Sequence, residues 1–177
     1  MERSGPRLAT CSDDCTVRIW RRKAKEGDDN ASNKTGVPSI IRSAAIDEEW
    51  FQDAVLPKVH ERAIYSVSWS RRTGMIVSAG SDGKVIAYKE RWRGNASDGG
   101  EEMDVDGAQA GGSWGLTEWV VVAELFSGHD VFEINHVCWA KRADKGRRSE
   151  DEEVVLTTGD DGEVRVWVLD QVDASSA

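Results

Sequence analysis

Cysteine and histidine are scarce in this 177-residue chain, three of each, and that scarcity excludes two kinds of protein. A small, odd number of cysteines builds no disulfide framework and fits a reducing compartment. Nor do these residues make a metal site: Cys11 and Cys15 flank a turn, Cys138 lies on another strand, and His60, His129 and His136 are scattered, so the short paired spacings of zinc sites do not occur. No resident cofactor and no metal are expected. Long apolar runs are also missing. Nothing approaches a membrane span, and residues 1–15 hold no apolar core of signal-peptide length. The chain is therefore expected in the cytoplasm, and also in the nucleus, away from membranes, with the glycosylation-like triplets at Asn30 and Asn95 unused. Positive charge is short as well. Lys and Arg number 23 against 32 Asp and Glu, a net charge of −9, which argues against a protein that grips nucleic acid by neutralising phosphates.

What is present is repetition. LATCSDDCTVRIW from Leu8, IVSAGSDGKVIAYK from Ile76 and VLTTGDDGEVRVW from Val155 are three copies of one pattern: a short apolar strand, a tight Asp-containing turn, and an alternating strand closing on an aromatic residue. Two further pieces match, HERAIYSVSWS from His60 and HDVFEINHVCWA from His129, which aligns Ile64 with Ile134, Val67 with Val137 and Trp69 with Trp139. Ahead of those histidines run WFQDAVL from Trp50 and EWVVVAELF from Glu118, apolar and strand-length. Four strands per unit make a propeller blade. Units this small bury a core only by stacking, so function is expected on surfaces that several units share.

These residues resemble the WD-repeat family, whose blades carry a histidine before the first strand, Ser or Thr on the second, Asp in the next turn and Trp on the third. The matching sets are His60, Ser78, Asp82 and Tyr88, then His129, Thr157, Asp161 and Trp167, with Asp14 and Trp20 in the first copy. The resemblance implies that each set forms a hydrogen-bonded chain with a structural role. A catalytic Ser, His and Asp reading is set aside, because the set recurs in register with the strands and no oxyanion turn accompanies it. Tyr88 departs from the Trp pattern.

The expected fold is all-β, a WD-repeat β-propeller of about two and a half blades. Residues 1–21 are a half blade of second and third strands, 50–90 a blade and 118–169 the last blade, while 22–49, 93–117 and 141–153 are mobile insertions and 170–177 a tail. By resemblance, such a chain is the C-terminal part of a longer ring of seven blades, and its open sheet edges invite pairing.

Taken in order, RLATCSDDCTVRIW, HERAIYSVSWS and SGHDVFEINHVCWA look like the last blades of the WD-repeat subunits of the cytosolic iron–sulfur protein assembly machinery. That resemblance implies a non-enzymatic scaffold in a targeting complex that hands clusters to cytosolic and nuclear apoproteins. Its partners are then other subunits of that complex and apo iron–sulfur clients. The alternative is a generic WD-repeat adaptor of a ubiquitin ligase or chromatin complex. Partner-binding candidates lie between each histidine and the strand that follows, and at the start of that strand: Arg62, Tyr65, Phe132 and Glu133, three of them large, rigid or fork-shaped in the manner of binding hot spots.

Overall fold

The short apolar and alternating segments of the sequence form antiparallel strands, as such patterns dictate. The computed structural model describes residues 6–23, 49–93 and 117–169; the expected insertions 22–49 and 93–117 and the tail fall almost wholly outside them. Ten strands occur there, and no helix: β1 (Arg7–Cys11), β2 (Val17–Arg22), β3 (Trp50–Val55), β4 (Ile64–Trp69), β5 (Ile76–Gly80), β6 (Val85–Trp92), β7 (Thr117–Leu125), β8 (Ile134–Lys141), β9 (Glu153–Gly159) and β10 (Val164–Trp167). They form three antiparallel sheets, β1-β2-β3, β4-β5-β6-β7 and β8-β9-β10. No helix of the described residues is long and apolar enough to cross a membrane.

The sheets are shifted by one strand from the units read in the sequence. β3 pairs with β2, Arg22 opposite Trp50 and Arg18 opposite Val55, and not with β4. β7 likewise closes the second sheet on β6, with Trp92 opposite Thr117. The first sheet therefore holds three strands where a half blade was expected, and the complete blade is 64–125 instead of 50–90. Sequence repeat and sheet are out of phase, so each repeat bridges two sheets.

Successive sheets pack face to face on two apolar layers. Val17, Ile19, Leu56, Ile64, Ile76, Ile86 and Tyr88 fill the space between the first and second sheets. Val77, Ala79, Val85, Ala87, Ile134, Val137 and Val155 fill the next. β5 and β6 contribute to both because side chains alternate across a strand. That explains why IVSAG is buried at every position. Polar staples cross the second layer as well: the Val137 amide donates to Ser66 Oγ at 3.1 Å and the Trp139 amide to Ser68 Oγ at 3.2 Å.

The segment 141–153, expected as a mobile insertion, is a tethered loop between β8 and β9. Arg142 binds Asp144 at 2.5 Å and Glu152 at 3.0 Å, closing the loop on its own base. The Arg142 hydrogen bond, the largest cause, holds the Asp144 carboxyl down at about 2, helped by the Gly146 amide.

Candidate protein-interaction site

At one end of the sheets the connections 56–63, 81–84, 126–133 and 160–163 converge. The hydrogen-bonded chains predicted from the sequence lie here. In the third sheet Trp167 Nε1 donates to Thr157 Oγ1 at 2.8 Å, Thr157 Oγ1 lies 2.8 Å from His129 Nε2, and His129 Nδ1 lies 2.8 Å from Asp161. An indole N–H only donates, so the threonine oxygen accepts from Trp167 and its own hydrogen is free to go to His129 Nε2. In that arrangement a ring hydrogen on Nδ1 faces the Asp161 carboxylate. Burial opposes the Asp161 charge, yet the Glu163 amide and His129 outweigh it and hold the carboxyl below its usual range.

The second sheet repeats this with one substitution. His60 Nε2 is 2.8 Å from Ser78 Oγ, and His60 Nδ1 is 2.9 Å from Asp82, which also accepts from the Glu61 amide at 3.0 Å. Tyr88 stands beside Ser78 in the place of tryptophan, and burial pushes its phenol up more than Ser78 draws it down. Burial also lowers the His60 imidazole, against the attraction of Asp82. In the first sheet Trp20 Nε1 reaches Thr10 Oγ1 at 2.8 Å, while Asp14 pairs with Arg18 at 2.6 Å. Asp14 and Trp20 are thus not joined by a histidine, and Thr10 is a member the sequence reading did not single out.

These chains fix the loops that carry the partner-binding candidates. Matching β-bulges interrupt the register between Ile64 and Ser66 and between Ile134 and His136, leaving Tyr65 and Asn135 unpaired at the strand starts. A bulge re-aims its side chain. Tyr65 is 44% exposed and its hydroxyl donates to Glu133 at 2.9 Å, while Ser81 donates to the other Glu133 oxygen at 2.7 Å. Glu133 is therefore held by two donors from the second sheet and orients Tyr65. Arg62 is exposed, with no ion pair among the described residues. Phe132 is exposed, as are Val131 and Phe126 beside it, with Lys84 over the Phe126 ring at 5.3 Å. Of the four candidates, Tyr65 and Glu133 are in direct contact.

The backbone there is crowded by design. A Cβ on Gly80 would lie 2.1 Å from the Ala63 carbonyl oxygen, and one on Gly159 would lie 2.7 Å from His129 Nδ1. Only glycine lets the loop close over the strand end. Sequence reading also passed over Ser81, Phe126 and Arg165. Arg165 donates to the Gly128 carbonyl at 2.9 Å and pairs with Asp130 at 2.9 Å and Asp161 at 3.2 Å, clamping the loop to the turn. On an alternating strand it looked like any solvated position.

Among the described residues no group of three or more His, Cys, Asp or Glu is placed to hold a metal ion. All three cysteines are free thiols, and burial pushes the Cys11 thiol up, away from the thiolate a metal would need.

Comparison with known proteins places this geometry in a family. The profile described as WD domain, G-beta repeat matches residues 2–21, 54–89 and 119–168. A Phaeosphaeria nodorum protein named "Probable cytosolic iron-sulfur protein assembly protein 1" is 68% identical over 97% of this chain and 39% of its own length. Proteins of the same name from Aspergillus terreus and Aspergillus clavatus are 51% and 48% identical over 94% of this chain, and 40% and 38% of theirs. The chain spans about two fifths of the length of these curated relatives. With the matched segments falling on the three copies of its internal pattern, the chain belongs to the WD40 repeat family.

Proposed function

We propose that this chain is a protein-binding part of a scaffold in cytosolic iron–sulfur protein assembly. The observation that carries this reading is the 68% identity, over nearly the whole chain, to a protein of that name. The work proposed for it is to hold other assembly subunits and apo iron–sulfur proteins near one another in the cytosol and nucleus. Clusters pass through such a complex as cargo. The chain itself performs no bond chemistry in this reading: its Ser, His and Asp sets are spent on joining strands to turns, with both imidazole nitrogens occupied.

Contact with a partner is assigned to Arg62, Tyr65 and Phe132, with Glu133 as the residue that orients Tyr65. Large side chains that are already braced lose little freedom on binding. Arg62 brings a fork of donors that meets a carboxylate. The test is capture of the tagged protein from cell extract, followed by mass spectrometry, beside an Arg62→Glu variant. Recovery of iron–sulfur assembly subunits and apo cluster enzymes, reduced roughly tenfold or more in the variant at unchanged melting temperature, is the expected result. Recovery of ubiquitin-ligase or chromatin subunits in their place would overturn the reading.

A further inference from the structure

At the end of the third sheet opposite the converging connections, the β8–β9 loop presents Ser149, exposed to solvent. Four acidic residues follow it, Glu150, Asp151, Glu152 and Glu153. A serine ahead of such a run suits a kinase whose substrate groove is basic, because the carboxylates dock where that groove concentrates positive potential. The structure adds a place for the product. Ser149 lines a cleft of about 260 Å³ together with Arg72, Thr73, Trp139, Glu152 and Glu153. The indole nitrogen Nε1 of Trp139, a residue lining the cleft, is buried without an acceptor among the described residues, although its counterpart Trp69 donates to the Gly74 carbonyl at 3.0 Å. The carboxylates in the cleft are already engaged. Glu152 takes Arg142, Arg148 and the Arg148 amide, and Glu153 accepts from Ser70 Oγ at 2.5 Å. Arg72 is exposed, with no ion pair among the described residues.

We propose that Ser149 is a phosphorylation site for an acid-directed serine/threonine kinase, and that the phosphate docks on Arg72 and the Trp139 indole N–H across the cleft. In the reaction Ser149 Oγ bonds to the γ-phosphorus of ATP, the bond to the bridging oxygen breaks, ADP leaves, and the hydroxyl proton passes to the kinase. The added group carries a charge of about −1.5 to −2 and three acceptor oxygens. Arg72 belongs to the β4–β5 turn, so the phosphate ties the second sheet to the third by charge-assisted hydrogen bonds. Repulsion from Glu152 is met by the two guanidinium groups already on it.

The experiment treats the 177-residue chain with ATP and casein kinase 2, an acid-directed kinase, and maps the product by mass spectrometry. One phosphoryl group on Ser149 is expected, absent in Ser149→Ala and slowed roughly tenfold in Glu150→Gln/Asp151→Asn, which spares the Glu152 pairs. The indole N–H resonance of Trp139, assigned with Trp139→Phe, should move on phosphorylation and move less in Arg72→Ala. Phosphate elsewhere, or none, overturns the site. A Trp139 resonance that stays in place overturns the docking.

Discussion

The third residue of each Asp-containing turn adopts a left-handed backbone, φ 64° at Cys15, 67° at Gly83 and 76° at Gly162. For an L-residue with a side chain this region costs roughly 1–2 kcal/mol, and glycine escapes the cost while losing about 0.5–1 kcal/mol of that gain to its freer unfolded chain. Cys15 carries this strain, and its Sγ recovers only a long contact to the Asp13 carbonyl at 3.7 Å. Cys15→Gly is therefore expected to stabilise the protein by about 0.5–1 kcal/mol, read as a raised melting temperature. Gly162→Ala supplies the control: a Cβ there meets nothing within 4 Å, so the loss, expected at about 0.5–1 kcal/mol on the same balance, comes from the backbone and not from a clash. A neutral Gly162→Ala would contradict the account. The three copies of the pattern align these positions, and two glycines and a cysteine share nothing there but small side chains. Size is not the constraint; the sign of φ is, and residue identity at Cys15 conceals it.

Between elements, the Trp167–Thr157–His129–Asp161 chain joins β10, β9, the loop ahead of β8 and the turn after β9 through one hydroxyl. Thr157→Val keeps the shape and removes that hydroxyl, leaving a part-buried donor on Trp167 and a buried ring nitrogen on His129 without their partner, and an unpaired buried polar group costs about 1–3 kcal/mol. Loss of about 2–5 kcal/mol is expected in denaturant unfolding, with Thr157→Ser close to wild type. Thr10→Val should cost less, because only the Trp20 indole depends on Thr10, at a site open to solvent. Equal losses at the two positions would show that the relay adds nothing to a single bond. These chains were legible because their members recur with the strands and their types pair chemically. The grouping of strands was not. A repeat fixes the order of four strands and leaves their phase open, since β3 follows β2 and precedes β4 in sequence with equal right to either sheet. The Tyr65–Glu133 and Ser81–Glu133 contacts were hidden for a similar reason, joining residues 68 and 52 positions apart on different sheets. Arg142 and Glu152 read as solvated charge until the loop between them closed.

For the molecule as a whole, the relays make stability depend on pH in a window set by histidine. His60 is fully enclosed, with Ser78 on one nitrogen and Asp82 on the other, and Lys84 and Glu124 are the further charges that act on it. Burial lowers its proton affinity more than Asp82 raises it. An unfolded chain binds that proton near pH 6.5, whereas the folded chain resists it to lower pH. The contribution to stability is thus complete above about 6.5 and lost as pH falls toward the folded value. The carboxylates behave on another scale. Asp144, Glu152 and Asp161 all sit below their ordinary values, so their contributions are present above about pH 4 and disappear only in stronger acid. Between about pH 7.5 and 5.5 the melting temperature is therefore expected to fall, and the His60→Gln variant, though lower overall, should lose part of that slope. A variant with the wild-type slope would assign the proton to another group. Because His60 holds the turn at Asp82 and the loop beneath Arg62, acidification should loosen that turn and loop before the apolar layers between the sheets give way, and amide exchange at 60–63 should rise before exchange in β5 and β6.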